Sequence, residues 1–277
     1  MTDILEKILA HKRTEIAALD ARSLRRSAEQ SPAPRDFLAV IKRRRNSPIL
    51  SGEGAGVRLI AELKRASPSK GILAPHLDLF QVADIYAENG GSAISVLTDK
   101  KFFMGELETL LELRYFRKIE LPLLRKDFII DETQLYETRS NGADAVLLIT
   151  AALADDAHFA GLHTLALELG LTPLVEVHNE NEAERALKLQ DVKLIGINNR
   201  DLTTFNVSLE TTERIRPMIP DETAVVAESG IFTTSDVERL ANANVDAILV
   251  GEALVTADDI PAKVRELSRL NVRTFER

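Results

Sequence analysis

Eight short apolar runs, each followed by a segment of helical period, fill the chain from Arg58 onward, and that beat predicts an α/β fold, a closed (β/α)8 barrel of the TIM type. A second observation excludes the main rival, a doubly wound open sheet. Such a sheet needs a glycine-rich dinucleotide turn after its first strand, and none is there. Length is the third: 277 residues suit one large α/β domain. The expected division is a helical extension over 1–57, packed on a catalytic barrel over 58–277, one domain overall.

In the extension, Ile4, Leu5, Ile8 and Leu9 repeat at helical spacing, as do Ile16 and Leu19. Ser31-Pro32-Ala33-Pro34 breaks the pattern, and Asp36 is placed to cap a second helix through Phe37, Leu38, Val40 and Ile41. The basic run Lys42–Arg45 reads as a solvated helix end. Ser47–Gly56 reads as a connecting loop, since its GEGAG lies before a strand and not between strand and helix. The strand runs are expected at Leu59–Leu63, Ala93–Leu97, Pro122–Leu124, Ala145–Ile149, Leu174–Val177, Leu194–Ile197, Ala224–Ala227 and Ala247–Val250. Between them, segments such as Leu107–Phe116 and Thr133–Asn141 carry helical periodicity, the latter opened by Asp131 and closed by Asn141-Gly142.

In a barrel of this type, chemistry sits on the C-terminal strand ends. Glu62 and Lys64 are two apart and share a face with Ile60, so that face points inward with a carboxylate and an ammonium on it. Counting by twos, Lys126 shares a face with Leu124, Glu176 with Leu174, and Glu228 with Val226. Buried charges need partners or a use. One polar group per strand end, all on one rim, is the pattern of an active site. Ser229-Gly230 and Gly251-Glu252 follow the last two strands, where glycine lets backbone N–H groups approach an anion, so phosphate is the expected ligand there. His178, two beyond Glu176, is expected in a loop. The other histidines show no ligand spacing, and neither metal nor cofactor is expected.

Composition excludes several classes. A net charge of −8 argues against nucleic acid. The absence of cysteine removes disulfides, thiol nucleophiles and zinc-thiolate sites, and it fits a cytoplasmic location. The charged N-terminus is no secretory signal, and the longest apolar run, Ala145–Ala154, is too short to span a bilayer, so the chain reads as soluble.

The motifs IAELKRASPSKG (60–71), LTDKKFFMG (97–105), LLRKDFIID (123–131), LVEVHNE (174–180), IGINNRDL (195–202), VAESGI (226–231) and VGEAL (250–254) together resemble the indole-3-glycerol phosphate synthase family. The resemblance implies a cofactor-free carboxy-lyase of tryptophan biosynthesis acting on 1-(o-carboxyphenylamino)-1-deoxyribulose 5-phosphate. An aryl carbon attacks the ribulose carbonyl, carbon dioxide leaves and water is eliminated. It further implies Lys126 as general acid, with a pKa suited to donation near neutral pH. Glu176 would be the acid–base partner in dehydration, Lys64 the cation at the substrate carboxylate, and Glu62 the group orienting the lysines. Asn198 and Arg200 would position substrate and Lys64, and Glu228 would meet the ribulose hydroxyls. Ser229, Gly230, Gly251 and Glu252 match the phosphate positions, with Ser67, Pro68 and Ser69 on a mobile first loop. Phe103 and Phe128 would flank the aromatic ring. Some members carry Ser where Glu252 stands, so here one side-chain bond to phosphate is lost. The expected partners are a small phosphorylated substrate and, transiently, other enzymes of the pathway; the length leaves no room for a second fused barrel.

Two alternatives stay open at this point. A phosphoribosylanthranilate isomerase-like barrel would lack the long extension and use other acid–base groups. A non-catalytic phosphosugar-binding barrel would have no need of proton donors.

Overall fold

A computed structural model of the chain describes residues 4–43, 56–67, 70–202 and 204–268. Pro68 and Ser69, Arg44 and Arg45 of the basic run, and most of the connecting loop lie outside the described residues. Eight parallel strands close into a barrel in chain order: β1 Arg58–Leu63, β2 Ala93–Leu97, β3 Leu123–Lys126, β4 Ala145–Ile149, β5 Thr172–Val177, β6 Leu194–Asn198, β7 Ala224–Glu228 and β8 Ala247–Val250, which pairs back on β1. Each strand is buried on both faces, which is why all eight read as nearly continuous apolar runs. The third strand begins one residue later than expected and runs on through Lys126, so Arg125 and Lys126 alternate outward and inward within the sheet. Leu107–Phe116 is not one regular helix, because Glu108–Leu111 widens into a π-turn at Glu112–Phe116.

Two apolar layers follow from this alternation. Inward residues Ile60, Leu124, Leu147, Leu174, Val226 and Leu249 fill the barrel, while the outward ones pack under the surrounding helices. The extension holds three helices, α1 Ile4–Ile16, α2 Ala21–Gln30 and α3 Phe37–Ile41. The helical pattern expected to run through Leu19 stops at Ile16. A second helix starts after Asp20, whose carboxylate accepts from the Ser23 N–H. Phe37 and Ile41 of α3 are fully buried and join the interior cluster with Ala93, Ala145, Ala224 and Ala247. Small residues at the strand starts leave room for this plug in the barrel floor.

The plug is fastened twice by one device. Asp144, just before β4, accepts from the Arg35 N–H (2.6 Å) and the Leu123 N–H (2.8 Å). Asp246, just before β8, accepts from the Arg43 N–H (3.1 Å) and the Val225 N–H (2.9 Å). The two aspartates open matching stretches, Asp144-Ala145-Val146-Leu147 and Asp246-Ala247-Ile248-Leu249, half a barrel apart. At the other end α1 lies over the mouth. There the buried Lys12 ammonium reaches Asp99 and Asp127 at 2.9 Å each, and Glu15 at 2.8 Å. Burial alone would lower the Lys12 pKa, but these carboxylates outweigh it and raise it.

Candidate active site

Above the apolar filling, the next inward position of β1, β3, β5, β6 and β7 carries Glu62, Lys126, Glu176, Asn198 and Glu228. The pleat sets Glu62, Lys126, Glu176 and Glu228 two residues beyond a core residue, and Asn198 two beyond Gly196, so the strands that bury the core also aim the polar groups. The Lys126 ammonium lies 3.2 Å from Glu176 Oε2 and 3.2 Å from Glu228 Oε2. Lys64, the first residue past β1, sits 3.2 Å from Glu62 Oε2. Two inward glycines make room for these carboxylates. A Cβ on Gly196 would collide with Glu228 Oε1, and one on Gly251 with Glu62 Oε2. Glu62, Lys64, Ser67, Phe103, Lys126, Phe128, Glu176, Asn198, Arg200, Glu228, Ser229, Gly230, Gly251 and Glu252 all line one cavity at the barrel mouth.

Three buried carboxylates around Lys126 shape its titration. Burial opposes its charge, but Glu176, Glu228 and Glu62 outweigh burial and push its pKa well above the ordinary lysine value. The near-neutral value that the resemblance implied is not the one these carboxylates favour. Burial drives Glu228 up to about 8; Lys126 pulls it back and the Glu176 charge adds to the rise. Burial works against the charge on Glu176 too, yet Lys126 and His178 hold it below the usual carboxylate range.

His178 is not a free loop residue. Its ring Nε2 lies 3.2 Å from Glu176 Oε1 and its Nδ1 lies 2.9 Å from Glu182 Oε2. Burial alone would lower its pKa, but the two carboxylates raise it to about 10. The signal in the sequence was Glu182, four residues on, in the first turn of the helix that Asn179 caps.

Of the pair Asn198-Asn199 at the end of β6, only Asn198 faces the cavity, and its Oδ1 accepts from the Arg200 N–H at 3.1 Å. Asn199 is a tie between strands: its N–H donates to the Glu228 carbonyl and its side chain bonds Ser229 and Thr212. Ser229 and Gly230 both hold positive φ, 67° and 76°, which folds the chain sharply after β7. Glu252 sits 3.5 Å from Lys70 and 3.9 Å from Arg200. Phe103 and Phe128 do not form a parallel slot. Their ring centroids are 6.1 Å apart and tilted by 40°, so they pack on each other and offer one joint apolar face. The sequence reading missed the apolar walls. Ile4, Leu5 and Ile8 come from α1, and Phe205 and Phe232 from the β6 and β7 loops.

Proton donors and acceptors gathered from five strand ends around one cavity at the mouth of a barrel make an enzyme site. The sequence pattern of the indole-3-glycerol phosphate synthases matches residues 5–267. An indole-3-glycerol phosphate synthase from Roseiflexus castenholzii is 48% identical, covering 96% of this chain and 98% of its own length. Another from Dehalococcoides mccartyi is 54% identical over 78% of this chain and 83% of its own. Among solved structures, 3-hexulose-6-phosphate synthase from Salmonella typhimurium superposes with a TM-score of 0.61 over 76% of this chain and 97% of its own, at 14% identity, and shares the fold. The chain belongs to the indole-3-glycerol phosphate synthase family, the carboxy-lyases of tryptophan biosynthesis.

Proposed function

We propose that Lys126 and Glu176 carry the acid–base steps of indole ring closure in this chain, and that the surrounding rim holds the substrate. The observation that carries this reading is the Lys126 ammonium, 3.2 Å from both Glu176 and Glu228 at the foot of the cavity. The substrate phosphate rests on the backbone N–H groups of Ser229, Gly230, Gly251 and Glu252. The aryl carboxylate meets Lys64, and its ring lies on the joint face of Phe103 and Phe128. Asn198 and Arg200 hold the chain between, Glu228 meets its hydroxyls, and Ser67, Pro68 and Ser69 of the first loop complete the binding residues.

In ring closure the aryl carbon attacks the carbonyl and its oxygen becomes an alkoxide. Lys126 gives that oxygen a proton. A strongly basic lysine can do so because an alkoxide is more basic still. Glu62 and its neighbours stabilise the cationic ring that precedes loss of carbon dioxide. Water then leaves with a proton from Lys64, while Glu176 takes the proton from the adjacent carbon. One proton is consumed overall, matching the departure of a carboxylate as carbon dioxide.

The extension and barrel act as one unit in this reading, since α1 supplies part of the cavity wall. A cytoplasmic location accords with the absence of cysteine, and no described helix is long and apolar enough to cross a membrane. Transient contact with the enzymes that supply the substrate or take the product belongs to the same reading.

Lys126→Met tests it. Turnover, followed by indole fluorescence, should fall by about 10²–10⁴-fold, the usual share of general acid–base catalysis, with KM little changed. Wild-type turnover with raised KM would make Lys126 a binding group only.

A further inference from the structure

The geometry assigns His178 as a positioning residue for the dehydration step: anchored by Glu182, it fixes the Glu176 carboxylate and sets its two oxygens apart. This rests on the reading of Glu176 given above. Glu182 is itself rigidly held. Its Oε2 accepts from the His178 N–H (2.9 Å), its Oε1 accepts from Asn179 Nδ2 (2.8 Å), and its N–H donates to Asn179 Oδ1 (3.0 Å). The start of the helix Glu180–Ala186 thus clamps a carboxylate beneath the imidazole.

Both ring nitrogens face carboxylate oxygens, Nδ1 to Glu182 and Nε2 to Glu176. A neutral imidazole has one N–H and would set a lone pair against one of the two; the imidazolium turns a positive edge to each, in a hydrogen bond to Glu182 and in an ion pair to Glu176 at 3.2 Å that lacks hydrogen-bond geometry. The cation therefore occupies Glu176 Oε1, while Oε2 faces Lys126. One oxygen is tethered and the other is left for proton transfer, on a side chain that is 2% exposed. The charged groups that face this pair are Glu182 from the helix, and Lys126 and Glu228 from neighbouring strands. Arg185 on the same helix is turned onto Asp156 and the carbonyls of Thr150 and Leu153, and Glu180 pairs with Arg214. No other described group is poised to replace the imidazolium.

Glu176, His178 and Glu182 fall on one strand end and the first helical turn after it, so a short stretch builds the acid–base group, its orienter and the anchor of that orienter. An imidazolium whose far nitrogen is bound by a carboxylate is held in one ring orientation.

His178→Asn, Glu182→Gln and Glu176→Gln would be compared by steady-state kinetics across pH, with thermal unfolding alongside. For His178→Asn the expected result is a kcat lower by about 10–100-fold with KM within about twofold. The acid limb of kcat should move up by about one pH unit, since Glu176 loses a cation that keeps it ionised. Glu182→Gln should move the limb the same way by less. A merely structural role would lower the unfolding temperature and leave the limb in place, and that outcome overturns the inference. Should His178→Asn fail to fold, Glu182→Gln decides alone: an unmoved limb overturns the inference, a moved one sustains it. Near-wild-type turnover in Glu176→Gln would instead remove Glu176 from its role, a failure of the underlying reading that is distinct from an inert His178.

Discussion

Glu62 and Glu228 occupy space that two glycines leave open. A Cβ at Gly251 would meet both the carboxylate and the Cβ of Glu62, so the acid has to move with its stem. Gly251→Ala is expected to keep the fold and lower kcat by about 100-fold, the usual effect of a misplacement near one ångström. Circular dichroism and steady-state kinetics check the two halves. Much of this scale was legible beforehand. Glu62, Lys126, Glu176 and Glu228 could be placed because period-two counting from a core residue needs no tertiary information. His178 was not, because its partner Glu182 lies on the next element and a single histidine past a strand end carries no periodicity. The titration of Lys126 was also out of reach, since it depends on three carboxylates from strands far apart in the sequence.

At the scale of elements, α1 is where the sequence says least about function. Ile4, Leu5 and Ile8 show the spacing of any amphipathic helix, and nothing in it separates a core face from a cavity wall. The α2 helix is almost wholly polar, with Leu24 and Ala28 its main apolar residues, and so left no stripe to read. The strands were legible because burial on both faces demands continuous apolar runs. What fastens α1 is Lys12 between Asp99 and Asp127, all three nearly inaccessible. Removing one partner of a buried ion cluster costs about 3–5 kcal/mol. Lys12→Met is accordingly expected to lower the unfolding temperature and to raise KM, because the roof of the cavity loosens. Thermal unfolding and substrate saturation curves measure both. An unchanged KM would place α1 outside the substrate's reach.

For the whole molecule, the rim's charges make stability depend on pH in a definite direction. Burial raises the Glu228 pKa from 4.5 to about 8, so its contribution is fully present below 4.5 and is lost as pH rises through 8. The His178 pKa is raised from 6.5 to about 10, where the carboxylates outweigh burial, so its contribution is full below 6.5 and is lost as pH climbs through 10. Glu176 and Asp127 are held low, so their contributions are lost only in acid. The unfolding temperature should therefore decline from about pH 4.5 to pH 10. In Glu228→Gln the decline should begin only near pH 6.5, where His178 starts to lose its contribution. A wild-type curve level across this range would mean that the mouth of the barrel is wetter and less coupled than its burial indicates.

In the proposed mechanism the charges of the rim act on one oxygen, the ribulose carbonyl that becomes a hydroxyl and then water. A substrate analogue whose carbonyl has been reduced to an alcohol keeps that oxygen and cannot close the ring. A crystal structure of the complex would show directly which groups meet it. The account predicts Lys126 Nζ within hydrogen-bond distance of the hydroxyl, Glu176 on the same side, and the phosphate on the turns after β7 and β8. Lys126 still closed onto Glu176 and Glu228, out of reach of that hydroxyl, would contradict it.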